Sequence, residues 1–268
     1  MKIFNPYTHQ AKKRFGQNFL KDGRIINQIV QSIQPADGDQ ILEIGPGLGA
    51  ITREILPLVG KMTVIELDRE IIPKLKYNCD GLGELKILQQ DALKTNFNDL
   101  ANGGQLRIVG NLPYNISTPI LFHLFDFLAD IKDMHFMLQK EVVDRMVAAP
   151  GSKTYGRLSV MTQYFCNPQL LFYVPPESFE PAPKVESAIV RLTPVESSDK
   201  VKDFKLFSEM VTQAFNMRRK TIRNVWKKYF TDDDFAALSF DPTLRPENLS
   251  LDDFLNAANY YHQHQAAS

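Results

Sequence analysis

The apolar run Ile41-Leu42-Glu43-Ile44 stops at Gly45-Pro46-Gly47-Leu48-Gly49, and helical periodicity follows it. A short strand, a glycine-rich turn and a helix in that order form the first half of a βαβ unit, with the glycines placed where a backbone must approach a ligand closely. The pattern then repeats. Strand-like segments at 62–66, 85–89, 106–111 and 134–138 alternate with helical patterns near 49–56, 69–77 and 140–148, and with one capped by Thr118 and begun by Pro119. Gln169–Val174 and Ser187–Leu192 read as a closing strand pair, expected antiparallel in part. Such alternation predicts an α/β fold, a Rossmann-like, mainly parallel seven-stranded sheet with helices on both faces.

Before this core, Asp22 is placed to cap a helix with the apolar stripe Ile25, Ile26, Ile29, Val30 and Ile33, ending ahead of Pro35. After it, Gly151–Gly156 reads as a loop and Arg157–Phe165 as a helix. Thr193–Asp199 has the composition of a linker. Beyond it the pattern is helical only: Phe204, Phe207, Met210, Val211 and Ala214 on one face, then Ile222, Val225, Trp226 and Tyr229. Two domains are therefore expected, 1–193 and a small all-α domain at 200–268 whose aromatics form its core. His262-Gln263-His264 reads as a polar frayed tail rather than a metal site.

Two cofactors suit the glycine turn. Gly45, Gly47 and Ala50 fit a dinucleotide fingerprint, with Glu66 ending the next strand at the usual distance. Glu43, two residues before the first glycine, is a poor neighbour for a pyrophosphate and a good one for a cation. Glu-x-Gly-x-Gly-x-Gly is the pattern of enzymes that use S-adenosylmethionine (SAM), and that reading leads; a dinucleotide is second, a tight turn without ligand third. Glu66 can accept from both ribose hydroxyls, and Asp91, after Leu85–Gln90, from an adenine amino group. Each alone would be an ordinary strand-end acid. Their succession at strand ends, where ligands of doubly wound sheets lie, raises the functional reading.

The other informative segment is Asn111-Leu112-Pro113-Tyr114, at the end of the run Leu106–Gly110. The Asn111 amide oxygen and the Leu112 carbonyl can each accept one N–H of an exocyclic amino group. Pro113 biases Leu112 away from the helical region and helps aim that carbonyl, and Tyr114 offers a face for stacking. In isolation the tetrapeptide is more often a plain strand-ending turn; after the glycine turn it reads as a grip on adenine N6.

With these motifs the chain resembles the small-subunit (16S) ribosomal RNA adenine N6-dimethyltransferases, the bacterial KsgA type. The resemblance spans Lys13–Leu20, Glu43–Gly49, Asn111–Tyr114, Val174–Val185 and Phe215–Lys220. It implies SAM as cofactor, held by Gln17, Asn18, Leu20, Gly45, Gly47, Glu66, Leu67, Asp91, Ala92 and Asn111. It implies a target-adenine pocket of Asn111, Leu112, Tyr114 and Phe179. The expected reaction is addition of two methyl groups to each of two adjacent adenosines near the 3′ end of small-subunit rRNA, within the pre-small ribosomal subunit. No metal is needed, because transfer from a sulfonium requires neither a metal nor a covalent nucleophile. The Pro-Pro-Glu-Ser-Phe-Glu-Pro surround of Phe179 suggests a rigid wall rather than core.

Composition is compatible with this. Thirty-one Lys and Arg balance 31 Asp and Glu, which counts mildly against a nucleic-acid binder. The charge is uneven, however. Lys12, Lys13 and Arg14 cluster near the start, and Arg218, Arg219, Lys220 and Arg223 lie in a run without acids, Arg219, Lys220 and Arg223 sharing a face at helical spacing. Both groups are expected to meet RNA phosphates. Cys79 and Cys166 have no metal or redox spacing, and no apolar stretch spans a membrane, so a cytoplasmic protein is expected. Nothing suggests a coiled coil or an obligate interface, so a monomer is expected. Three rivals stay open: a macrolide-resistance type methyltransferase of large-subunit (23S) rRNA, an N6-adenine DNA methyltransferase, and a subunit-assembly factor whose binding outweighs its catalysis.

Overall fold

A computed structural model describes residue 12 and residues 16–114, 116–195, 201–238 and 241–265. The elements in the first half are β1 Phe19–Leu20, α1 Gly23–Ile33, β2 Gln40–Ile44, α2 Thr52–Val59, β3 Lys61–Ile65, α3 Ile72–Asn78, β4 Glu84–Leu88, α4 Asn98–Ala101, β5 Leu106–Asn111 and α5 Ser117–Phe125. Then come β6 Ile131–Gln139, α6 Lys140–Met146, α7 Arg157–Phe165, β7 Cys166–Val174, β8 Phe179–Glu180, β9 Ser187–Pro194, α8 Phe204–Asn216, α9 Ile222–Val225, α10 Asp232–Ala237 and α11 Leu251–Gln265.

Seven strands make one sheet in the order β4-β3-β2-β5-β6-β9-β7. Neighbours from β4 to β6 run parallel, and β9 is antiparallel to β6. The expected mainly parallel α/β sheet is the one formed. Strand order reverses between β2 and β5, so a crevice opens there at the carboxyl ends of the strands. The sheet is buried from both sides: Ile41, Leu42, Glu43 and Ile44 of β2 are all buried, as are Leu106, Arg107, Ile108 and Val109 of β5.

Helix α1 shows how local chemistry sets an element. Asp22 accepts from the Arg24 N–H at 2.9 Å at its start, Ile29 and Ile33 point inward, and Gln34 ends it in a left-handed conformation (φ 52°) ahead of Pro35. The last carbonyls are capped from the sheet. The buried guanidinium of Arg107 donates to the carbonyls of Ile33 (2.5 Å) and Gln34 (3.2 Å), and to Asp39 (2.6 Å) and Asp133 (2.9 Å). Both carboxyls stay below the usual carboxylate range. Burial opposes this; hydrogen bonds from Ala36 and Arg107 to Asp39 and from Arg107 to Asp133, with His135 3.6 Å from Asp133, outweigh it. Helix α5 begins at Ser117, so Thr118 lies inside it rather than capping it.

The chain divides into two compact units, Met1–Val143 with Gln169–Pro194, and Asp144–Pro168 with Val195–Ser268. Residues 144–168 thus pack with the helical unit although they precede the 193–199 segment. In that unit Trp226, Phe207 and Phe254 are fully buried, and the Trp226 indole donates to the Met210 carbonyl at 3.3 Å. Acid-rich stretches have a structural role there. Asp232, Asp233 and Asp234 occupy the first turn of α10, and Thr231 with Asp234 forms a capping box. Helix α11 reaches Gln265, with the His264 ring stacked on Tyr260 at 4.0 Å between centroids. The His262–His264 segment is therefore helical, not frayed.

The first unit also holds a two-stranded antiparallel sheet, β1 with β8, in which Leu20 pairs with Phe179 and Phe19 with Glu180. Strands of two residues carry no periodicity, so the sequence hides them. Here the expected wall at Phe179 is corrected. Side chains alternate across a strand, and Glu180 points out to meet Lys21 at 3.0 Å while Phe179 points in. Phe179 is 2 % exposed and packs in one apolar cluster with Leu20, Val174 and Ile189. Phe179→Ala is expected to destabilise the fold by about 3–5 kcal/mol, the usual result of emptying an aromatic site in a core. Urea unfolding measures this, and a loss under about 1 kcal/mol would contradict the buried placement.

Candidate active site

The carboxyl ends of β2, β3, β4 and β5 and the segment Gly16–Leu20 enclose a cavity of about 340 Å³, the size of a small-ligand site. Gln17, Asn18, Leu20, Gly45, Gly47, Glu66, Leu67, Asp91, Ala92, Asn111, Leu112 and Tyr114 all line it. Every cofactor candidate from the sequence is thus gathered in one place, together with three of the four base-pocket candidates. Phe179 is not on this wall.

Each wall residue is held by local structure. Gly47 has φ +56°, and a Cβ there would sit 3.2 Å from the Phe19 ring, so only glycine lets the turn and the Gly16–Leu20 segment meet. Glu66 is buried. Its carboxylate accepts from the Asp68 N–H at 2.7 Å and the Gly47 N–H at 3.4 Å; burial raises its pKa, against those two bonds. Leu67 beside it is half exposed, an apolar surface at the rim. Asp91 caps the 3₁₀ turn Ala92–Lys94 by accepting from the Leu93 N–H at 3.0 Å.

Asn111 ends β5. Its Nδ2 donates to the Asn18 carbonyl at 3.0 Å. A carbonyl only accepts, so this bond fixes the amide's orientation and leaves Oδ1 as the acceptor on its other branch. The Leu112 N–H donates to the Met137 carbonyl at 3.2 Å, and Ser117 Oγ donates to the Tyr114 carbonyl at 3.1 Å. The Tyr114 hydroxyl lies 2.9 Å from Ser187 Oγ, and burial, ahead of that bond, raises the phenol's pKa.

Lys12 is placed differently from its expected role. Its ammonium lies 2.8 Å from Asp68 and 2.9 Å from Glu70, and its N–H donates to Gln17 Oε1 at 2.9 Å. Gln17 in turn donates to Asp68 at 3.2 Å. Lys12 therefore ties the Gly16–Leu20 segment to the end of β3. Lys13 and Arg14 lie outside the described residues. Asp68, which organises this corner and was no sequence candidate, carries a readable signal: an acid two residues after Glu66.

In the helical unit, Arg218 donates to the Lys153 carbonyl at 2.8 Å and stands 3.6 Å from Glu247. Arg223 stands 3.1 Å from Asp232. The run is free of acids along the chain but not in space. Residues 217–221 form a turn between α8 and α9, so the helical spacing expected for Arg219, Lys220 and Arg223 is not realised. Arg219 and Lys220 are exposed and line a recess with Asn224, Lys227 and Lys228. Among the described residues no helix is long and apolar enough to cross a membrane, and no His, Cys, Asp or Glu cluster is arranged to hold a metal.

A parallel sheet of this order, with a glycine turn after the first strand of the repeating units and acids ending the next two, defines a Rossmann-like methyltransferase fold. The family model described as "Ribosomal RNA adenine dimethylase" matches residues 8–263, and the chain belongs to that family. It is 54 % identical over 254 residues to the ribosomal RNA small subunit methyltransferase A of Marinomonas sp. (strain MWYL1), covering 94 % of this chain and 96 % of that protein. It superposes on a dimethyladenosine transferase from Plasmodium falciparum with a TM-score of 0.78 at 28 % identity, covering 92 % and 98 % of the two chains. The 23S rRNA methyltransferase ErmE shares the fold, with a TM-score of 0.73 at 21 % identity over 92 % and 100 %.

Glu43 is the most unusual group of the site. It is 2 % exposed, its Oε2 accepts from Thr52 Oγ1 at 2.5 Å, and its pKa is pushed up to about 7, chiefly by burial, with the Thr52 bond opposing and Glu66 adding repulsion. The folded pKa lies above the unfolded value, so the native state binds the extra proton and stability falls as pH rises from about 4.5 to about 7. Glu43→Gln removes this dependence. It is expected to match wild type in stability at pH 4 and exceed it at pH 8 by up to about 3 kcal/mol. Urea melts at the two pH values test it; an equal difference at both would show that Glu43 is not a proton-linked destabiliser.

Proposed function

We propose that this protein is a SAM-dependent rRNA adenine N6-dimethyltransferase that acts on small-subunit (16S) rRNA in the pre-small ribosomal subunit, modifying two adjacent adenosines of the 3′-terminal hairpin loop. The observation that carries the reading is the fixed amide of Asn111 at the mouth of a cavity whose far walls are acidic. The donor set fits SAM. The Glu66 carboxylate suits ribose hydroxyls, Asp91 and half-exposed Leu67 suit an adenine edge and face, and the buried Glu43 favours a cation over a pyrophosphate. Bound there, SAM supplies a methyl group on a sulfonium whose sulfur keeps the electron pair of the broken carbon–sulfur bond.

The chain's own residues then act on the target base. The adenine N6 lone pair is delocalised into the ring and is a weak nucleophile. Asn111 Oδ1 and the Leu112 carbonyl accept the two N6 protons, which favours a more tetrahedral nitrogen and stabilises the positive charge that develops as the N–C bond forms. This is electrostatic preorganisation. The Tyr114 face holds the ring at its approach angle. The base must first leave its stack, easiest in a hairpin loop. After transfer the cationic N6 releases one proton to solvent water, and the product retains one N6–H for the second round. Residues 1–193 supply cofactor and chemistry, and 200–268 dock the subunit. Identity over nearly the whole chain to a small-subunit enzyme favours this substrate over 23S rRNA.

Parallel incubations of labelled SAM with under-methylated small subunits, large subunits and DNA, followed by nuclease mapping, test the reading. Label in dimethyladenosine near the 3′ end of 16S rRNA is expected, and unlabelled small subunits beside labelled 23S rRNA or DNA would refute it. Asn111→Ala should slow single-turnover methylation at saturating SAM by about 10²–10³-fold, as loss of one preorganised partner does; a near-wild-type rate would remove Asn111 from the chemistry. Arg219 and Lys220 are the best phosphate ligands of the basic run. Changing both to Gln should weaken subunit binding and flatten its log–log salt slope by roughly one unit per lost contact, with SAM affinity unchanged. An unaltered slope would make them a solvated face.

A further inference from the structure

Tyr114 is anchored more firmly than a stacking platform requires. Its backbone is held on one side by Leu112 bonded to Met137 of β6 and on the other by Ser117 of α5. Its ring tip is held by a third element, through Ser187 Oγ at 2.9 Å. Ser187 is 1 % exposed and opens β9, where it pairs with Gln139 of β6. The Lys140 N–H closes that pair on the Glu186 carbonyl at 3.0 Å. The hydroxyl that meets Tyr114 thus sits on a rigid sheet corner rather than on a loop. Ser187 is not on the cavity wall, so any effect it has on the base passes through Tyr114.

We propose that Ser187 is a positioning residue that fixes the Tyr114 ring, and that its weight falls mainly on the second methyl transfer. The proposal rests on the function just assigned. In the first round the base is oriented by two N6–H bonds, to Asn111 and Leu112, and by the ring. In the second round only one N6–H remains, so one acceptor has lost its partner. The stacked ring then carries a larger share of the orientation, and freedom of the phenol to tilt costs more. A base misplaced by a fraction of an ångström in the second round is a poorer nucleophile even with Asn111, Leu112 and the cofactor wall unaltered.

The test is single-turnover methylation of under-methylated small subunits, with the rates to N6-methyladenosine and to N6,N6-dimethyladenosine followed separately by mass analysis. Ser187→Ala should slow the second step by about tenfold, within what a small misplacement of reacting groups costs. The first step should change by no more than about twofold, and SAM affinity by calorimetry should match wild type. Tyr114→Phe removes the same hydrogen bond from the other side and keeps the ring, so whatever it does to the first step, its ratio of second-step to first-step rate should fall about tenfold, even if Ser187→Ala folds poorly. The double variant should be no worse than either single one, as expected of two groups acting as a unit. Equal slowing of both steps, or additive losses in the double variant, overturns the proposal. A wild-type protein that forms no dimethyladenosine overturns the parent reading instead.

Discussion

The close approach of β2 and β5 at Gly110 is the constraint on which the site depends. A Cβ at Gly110 would lie 2.6 Å from the Ile44 carbonyl, an overlap that would pry apart the two strands at the point where sheet order reverses. Because position 110 is glycine, the ends of β2 and β5 converge, and Asn111 arrives beside the Gly45 turn. The glycine turn and the tetrapeptide proposed to grip the base are therefore adjacent for a backbone reason, before any of their side chains is considered. The crevice between them is the switch point at which ligands of open α/β sheets bind.

The Gly16–Leu20 segment completes what the sheet begins. It roofs the cavity, and its Asn18 carbonyl sets which branch of the Asn111 amide faces onward as an acceptor. Lys12 and Gln17 hold the segment to Asp68, whose own N–H holds Glu66. One small network thus links the carboxylate proposed for ribose to the amide proposed for the target base.

Much of this was readable in the sequence. The sheet, the glycine turn and the two strand-end acids follow from periodicity and from the place of each acid after an apolar run, because those patterns are local. What was not readable is set by partners far along the chain. Phe179 looks like a wall when its neighbours are prolines and like core once Leu20, some 160 residues earlier, is paired with it. Lys12 reads as a free cation until Asp68 stands beside it, and Arg223 until Asp232 does. Helix α11 is legible within the helical pattern, and only its last turn differs from the expected frayed tail: acids at 252 and 253, apolar residues at 254, 255 and 258, and histidines at the end are a helix pattern with the expected polarity.

Strand β5 sums up the balance within the fold. At its start Arg107 is buried among two carboxylates and two helix-terminal carbonyls, a fully partnered charge whose removal would strand Asp39 and Asp133. At its end, about 13 Å away at strand rise, the Asn111 amide leaves Oδ1 as an acceptor, with the buried Glu43 on the neighbouring strand. The stabilising and the functional polar groups thus occupy opposite ends of the same strands. Burial of Glu43 disfavours its charge in the free protein, a penalty that a cation held beside it would relieve.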